Sequence, residues 1–254
     1  ACGVLATDAA HGGVWGLARS LLLEHEAQRA QSADVSRATC YASVRALAAH
    51  STQAEAIWRG ERCCVARLRV CVESRRRRAG FSHGTYAITG GLGGLGLRAA
   101  RLIVASGASR VMLASRSGRV GRDGQGLEAQ LASLCAAALL MVSDVCDVRD
   151  AQSTMCHVPL VGVLHAAGVL RDKLLRTLGA DDVHASCGPK AVGASHLQSA
   201  RGKQQPLEAF GLFSSVASTL GSVGQANYVA ANAYLDALSS SLRRCGTLGS
   251  SLQI

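Results

Sequence analysis

Tyr228 and Asn232 stand four residues apart in the run 226–244, whose apolar spacing predicts a helix, so the two side chains share one face. Upstream, Ser214 and Ser215 close a strand-like apolar run, 209–214, that leads toward that face. A phenol, a hydroxyl and an amide gathered in this way suit proton transfer to a carbonyl oxygen. Phenol is a poor acid near neutral pH, its reference pKa being about 10. Lowering that by about three units takes about 4 kcal/mol of differential stabilisation, which a neighbouring ammonium can supply. A donor of this kind is useful where a bound dinucleotide delivers hydride to the same carbonyl, and the chain has a turn able to hold one.

That turn is Thr89-Gly90-Gly91-Leu92-Gly93-Gly94-Leu95-Gly96. Its spacing fits both Gly91-x-Gly93-x-x-Gly96 and Thr89-Gly90-xxx-Gly94-x-Gly96. Glycines let the backbone pass sharply from strand to helix, so that unpaired N–H groups and the helix dipole meet a pyrophosphate. A glycine motif alone equally fits a structural turn; here a strand-like run precedes it and a helix-like run follows, which is the context the motif requires. At the end of the next strand, Ser115-Arg116 presents a guanidinium and no carboxylate. An acid there would hold the ribose 2′-hydroxyl of NAD, whereas arginine pairs with the 2′-phosphate of NADP, so the expected cofactor is NADPH. The alternative is a surface arginine. Asp144, followed by Val145, ends the third strand, where it can accept from the adenine amino group or cap the next helix.

The elements that must position these residues alternate in type. Strand-like runs at 85–89, 110–115, 139–143, 161–166 and 209–214 are interleaved with helix-like stretches at 95–106, 125–136, 172–200 and 226–244. Such alternation implies an α/β fold, a Rossmann-type doubly wound parallel sheet covered on both faces, with ligand sites at the strands' C-terminal ends. The segment 144–161 leaves room for about two helical turns. Before residue 79 the pattern changes: Val14 to Leu23 reads as an amphipathic helix and Glu55 to Leu68 as two short strands around Arg59-Gly60. No catalytic cluster lies in that half. The charge run Glu73-Ser-Arg-Arg-Arg-Arg-Ala-Gly80 marks a boundary, giving a structural unit over 1–78 and a catalytic one over 79–254.

At 254 residues the chain can bury a sizeable core without a disulfide or metal staple. Lys+Arg of 27 against Asp+Glu of 17 gives a net charge of +10, which suits a phosphate-bearing or acidic partner. Arg75 to Arg78 reads as a solvated linker; nucleic-acid binding through it lacks aromatic platforms, only 4% of residues being aromatic. The ten cysteines show no CxxC pair and no regular spacing, so they read as free thiols in a reducing intracellular compartment, the cytoplasm or a plastid. Cys146, Cys156 and His157 lack the spacing of a zinc site, so no metal is expected. The most apolar stretch, 134–142, is too short to span a bilayer.

Lysine four residues after the tyrosine is the usual short-chain dehydrogenase pattern, and here Asn232 takes that place while Lys190 lies upstream in Cys187-Gly-Pro-Lys190-Ala-Val-Gly193. With this exchange the chain resembles the ketoreductase domain of type I polyketide synthases, a branch of the short-chain dehydrogenase/reductase superfamily. The resemblance runs through 85–96, Ser115-Arg-Ser-Gly118, Asp144-Val145, Gly162-Val-Leu-His-Ala-Ala-Gly168, Lys190, Phe213-Ser-Ser215, Gly224-Gln-Ala-Asn-Tyr228 and Asn232-Ala-Tyr-Leu-Asp236. Val14-Trp-Gly-Leu-Ala-Arg19, Gly60-Glu-Arg62 and Val65-Ala-Arg-Leu68 are similar to the family's truncated, Rossmann-like structural subdomain.

The resemblance implies NADPH-dependent reduction of a β-ketoacyl thioester carried by an acyl carrier protein, within a polypeptide of neighbouring synthase domains that makes a polyketide or a fatty acid. It implies that Tyr228 donates the proton, Ser215 hydrogen-bonds the ketone oxygen, Lys190 lowers the tyrosine's pKa and Asn232 orders a relay water. Of the two serines, family spacing selects Ser215 over Ser214. Ala166, Ala167 and Gly168 join the cofactor residues by the same resemblance. Asp172, Leu220 and Gln225 fall at substrate and stereocontrol positions. Where one stereochemical class carries Leu-Asp-Asp this chain has Leu170-Arg171-Asp172, and where the other carries tryptophan it has Leu220, which inclines the expectation to the D-hydroxyl product. The family continues past Ser251-Leu-Gln-Ile254 with a lid helix and a last strand, so the catalytic unit is expected to be C-terminally incomplete. A catalytically silent scaffold domain is the alternative, favoured by that ending and opposed by the full Lys-Ser-Tyr-Asn set.

Overall fold

A computed structural model of the chain describes residues 5–26, 31–35, 53–59, 62–67, 80–121, 125–134, 136–201 and 206–254. Among them, nine strands form two sheets. The larger is built from β4 (Thr85–Thr89), β5 (Arg110–Ser115), β6 (Ala138–Val142), β7 (Leu160–His165), β8 (Ala209–Ser214) and β9 (Ser250–Gln253). Its order is β6-β5-β4-β7-β8-β9 and every pairing is parallel. This is the doubly wound arrangement, with the order reversing at β4, and ligands bind at such a switch point. Register places Thr89 opposite both Ala114 and His165, so the strands flanking β4 end level with it.

The reason β4 occupies the centre is visible in its side chains. Tyr86 and Ile88 point into one apolar cluster with Leu97, Ile103 and Leu113, and Ala87 points into the other with Met112, Val163, Leu212 and Leu235. Strand side chains alternate in direction, so an unbroken apolar strand fits only where both faces are covered. Helix α2 (Gly94–Ala105) covers one face through Gly96, Leu97, Ala100 and Ile103. The rest of the covering comes from α3 (Leu127–Ala132), α4 (Val148–Cys156), α5 (Ala180–Cys187), α6 (Gly193–Ala200), the short α7 (Ala217–Leu220) and the long α8 (Ala226–Arg244).

The N-terminal part contributes α1 (Leu5–Glu24) and a three-stranded sheet of β1 (Ser32–Val35), β2 (Glu55–Arg59) and β3 (Arg62–Cys64). The β2 and β3 strands pair antiparallel, as their sequence suggested, while β1 runs parallel to β2. Helix α1 lies on α8, and a Cβ at Gly16 would come within 2.8 Å of the Val229 carbonyl, so the helices approach backbone to backbone there. Arg19 forks onto Glu55, its Nη2 donating to Oε2 at 2.8 Å, and thereby ties α1 to β2.

Four expectations change. The helix expected over 172–200 is broken into a 3₁₀ turn at Leu175–Thr177, α5, a π turn at Gly188–Val192, and α6. Pro189 has no N–H to give to the α-helical ladder, and the ladder widens around it. The helix expected over 125–136 shrinks to α3, entered through Gly126, while α1 begins well before Val14. Cys63, Cys64, Cys146, Cys156 and Cys187 are free thiols, but Cys245 is disulfide-bonded, so the cysteines are not uniformly free. The arginine run 75–78 and the boundary around it lie outside the described residues. None of the described helices is long and apolar enough to cross a membrane.

Candidate active site

The glycine-rich turn leaves β4 at its C-terminal end and enters α2. Gly90 has φ +66°, in the left-handed region, and a Cβ there would lie 2.7 Å from the Ala167 nitrogen, so both backbone conformation and space demand glycine. Gly91 and Gly96 pack against neighbouring backbone, whereas Gly94 faces open space, with only Leu127 Cδ2 at 3.8 Å. The N-cap of α2 is Gly93, which has no side chain to cap it, and the first turn holds no acidic residue. Its N–H groups and positive dipole end are therefore left for an anion.

Beside this turn opens a cavity of about 510 Å³, lined by residues of β4, β5, β6 and β7 ends. Of the residues expected at a cofactor site, Gly90, Leu92, Gly93, Ser115, Arg116, Asp144, Val145, Ala166, Ala167 and Gly168 border it. Gly91, Gly94, Leu95 and Gly96 do not; Leu95 is 40% exposed on α2. The cavity also reaches Ser117, Arg119, Val169 and Pro189, which sequence reasoning left out. Arg119 brings a second arginine to the cavity lining, three residues after Arg116 and across Gly118. The cavity dimensions, the uncapped helix end and the two guanidiniums together fit a phosphorylated dinucleotide.

Asp144 turns out not to cap the next helix. Asp147 does so, accepting from the Arg149 and Asp150 nitrogens, while Asp144 Oδ1 accepts from the Cys146 nitrogen at 3.0 Å. The Cys146 thiol is pushed up to about 11, by burial first and then by Asp144.

The second group of residues gathers beyond the cavity's Gly168–Pro189 end. Lys190 sits in the π turn, only 5% exposed, with its ammonium over the Tyr228 ring at 5.4 Å from the centroid. Its Nζ donates to the Phe213 carbonyl at 2.9 Å. Burial pushes its pKa down to about 8, and Asp236 pulls it back up in part. A Cβ at Gly168 would come within 2.9 Å of Lys190 Cε, so that glycine keeps the lysine's channel open. Asn232 donates from Nδ2 to the Tyr228 carbonyl at 2.8 Å, one turn back along α8. Its Oδ1 is buried and meets no hydrogen-bond partner among the described residues.

The two serines part company. Ser214 donates to the Asn232 carbonyl at 3.2 Å, facing α8. Ser215 donates to the Ile254 carbonyl at 3.2 Å and accepts from the Ala217 nitrogen. Asp172 and Gln225 meet at 3.1 Å, whereas Leu220 is 60% exposed on α7.

His165 enters the site without having been singled out in the sequence. It is fully buried, with Nδ1 2.7 Å from Thr89 Oγ1 and Nε2 3.0 Å from the Lys190 carbonyl. A carbonyl can only accept, so Nε2 carries the proton and Nδ1 accepts from the Thr89 hydroxyl. Burial holds its pKa down to about 4, which keeps the ring neutral. The end of β4 is thus wired to the backbone of Lys190. A histidine inside an otherwise apolar strand was the available signal.

Residues 84–254 match the family model of the KR domain. The chain is 36% identical over 249 residues to the spectinabilin polyketide synthase system protein NorA' of Streptomyces orinoci, covering 94% of this chain and 7% of that protein. It is 34% identical over 249 residues to the pikromycin polyketide synthase component PikAIII of Streptomyces venezuelae, covering 94% and 16%. Among solved structures, that of A-type ketoreductases from a modular polyketide synthase superimposes with a TM-score of 0.82 at 32% identity, covering 95% of this chain and 54% of that one. The chain therefore spans a small part of the length of the curated relatives it matches.

Proposed function

Because the chain belongs to the KR domain family of polyketide synthase ketoreductases, we propose that it reduces the β-ketone of an acyl thioester with NADPH as the reductant. Ketoreductase domains of this family use a nicotinamide cofactor, and the finer assignment to NADPH rests on Arg116 and Arg119 beside the cavity, with no carboxylate at the end of β5. The observation that carries the reading is the buried ammonium of Lys190 over the ring of Tyr228, next to a cavity of dinucleotide size.

When bound, a nicotinamide cofactor would supply hydride to the carbonyl carbon. The uncapped end of α2 would hold its pyrophosphate, Arg116 and Arg119 its 2′-phosphate, and Asp144 with Val145 its adenine. Tyr228 gives its phenolic proton to the ketone oxygen. Ser215 donates to that oxygen once its hydroxyl turns from the Ile254 carbonyl. Lys190 favours the phenolate left on Tyr228, and Asn232 Oδ1, buried and without a partner among the described residues, accepts from the water that returns the proton. Asp172 and Gln225 orient the acyl chain. In this reading residues 1–78 form a structural unit and 79–254 the catalytic one, working among neighbouring synthase domains. The acyl carrier protein that presents the substrate is acidic, matched to a chain of net charge +10.

The test is NADPH consumption with the N-acetylcysteamine thioester of a β-keto acid, for the wild-type chain and Tyr228→Phe. The wild type turns over and the variant loses about 10³-fold in kcat with its NADPH affinity kept. NADPH binding without turnover in the wild type would point instead to a silent scaffold domain.

A further inference from the structure

Glu24, the last residue of α1, reaches across to two loops that lead into the Tyr228 site. Its Oε2 accepts from the Leu175 nitrogen at 2.6 Å and its Oε1 from the Gly224 nitrogen at 2.9 Å. Those loops are also joined to each other: Lys173 N donates to the Gly224 carbonyl at 2.8 Å, and Gln225 Nε2 to Asp172 Oδ2 at 3.1 Å. Two more residues of α1 hold the same stretch. Arg19 donates to the Ser218 carbonyl, and Ser20 Oγ accepts from the Ser222 nitrogen at 3.4 Å.

The consequence is geometric. Residues 172–175 and 218–225 carry Asp172, Leu220 and Gln225, and the second stretch runs directly into the helix that holds Tyr228, yet both are irregular or short and have little ladder of their own. Backbone N–H groups in such segments need acceptors, and a carboxylate is the side chain that accepts on both oxygens at once. We propose that Glu24 is a positioning residue for the substrate: by bridging Leu175 and Gly224 it locks the two loops in one arrangement, so that the acyl chain approaches Tyr228 in one orientation. This rests on the reductase reading above. It gives the N-terminal helix a part in substrate selection as well as in packing.

Glu24→Gln keeps the shape of the side chain and removes one of its two acceptors, so one amide is left facing an NH₂ group. With the same N-acetylcysteamine thioester, KM rises about 3- to 10-fold, as expected for losing one hydrogen bond of typical net strength that orders the binding-competent loops. The minor hydroxyl enantiomer increases in proportion, while kcat stays within about twofold and NADPH affinity is unchanged. Amide hydrogen exchange quickens at Leu175 and Gly224 and not in the core of α8. An unchanged KM and enantiomer ratio would overturn the inference, and so would exchange that quickens throughout α8, since that marks general destabilisation. A wild-type chain without turnover overturns the reductase reading and the inference with it, whereas an active wild type with an indifferent variant overturns the inference alone.

Discussion

Replacing Lys190 by methionine should make the protein more stable at pH 7 while removing its activity. Burial takes the Lys190 ammonium from 10.5 to about 8. A depression of about 2.5 units at about 1.36 kcal/mol per unit is a cost of about 3 kcal/mol for carrying the charge in the folded state. Between those two pKa values the unfolded chain binds more protons than the folded one, so wild-type stability rises as pH rises through that window, and the full cost is present below about pH 8. Methionine fills a similar volume without a charge. The Phe213 carbonyl then loses the Nζ–H bond, which costs about 1 kcal/mol. The variant should accordingly gain about 2 kcal/mol at pH 7, and the gain should shrink to about zero by pH 10, where the folded-state lysine is neutral and the roughly 1 kcal/mol of charge cost still left is offset by the lost hydrogen bond. Urea unfolding followed by far-UV circular dichroism at the two pH values reads this directly, with equal m-values as the check on two-state behaviour. A variant less stable than wild type at pH 7, or a difference that does not move with pH, would refute the account of Lys190 as a charge held at a cost to stability for the sake of Tyr228.

Arg116→Ala should weaken NADPH binding about 10- to 100-fold and leave NADH binding nearly unchanged, because only the former offers a phosphate to the lost guanidinium; titration of cofactor fluorescence measures both, and Arg119 retains part of the selectivity. Gly168→Ala should lower kcat about 10- to 100-fold with little effect on the circular dichroism spectrum, since its Cβ, 2.9 Å from Lys190 Cε, displaces that side chain from Tyr228.

Much of the larger sheet was legible because its strands are buried on both faces and read as unbroken apolar runs: Arg110–Ser115 and Ala209–Ser214 fall where the pattern puts them, as does the helix Ala226–Arg244. The stretch 172–200 was less so. Its apolar residues keep helical spacing, but Gly179 starts a new helix and Pro189 interrupts the ladder, and neither effect shows in periodicity. At the site, Tyr228 and Asn232 are linked by helical spacing alone. Lys190 comes to Tyr228 through tertiary packing across the π turn, which residue spacing does not encode and which only the family resemblance anticipated. His165 and Glu24 escaped notice for a related reason. Their partners, Thr89 and Lys190 for the one, Leu175 and Gly224 for the other, are distant in sequence, and a single polar residue gives no periodic signal.

The most direct measurement is transfer of deuterium from deuterated NADPH to the β-carbon of a ketothioester, followed by mass spectrometry of the product for the wild type and Tyr228→Phe. Hydride transfer paired with proton donation from Tyr228 predicts one deuterium per hydroxyl formed by the wild type, and almost no labelled product from the variant even though it binds the cofactor as well. Label appearing at the same rate in both proteins would contradict the role given to Tyr228 and the mechanism built around it.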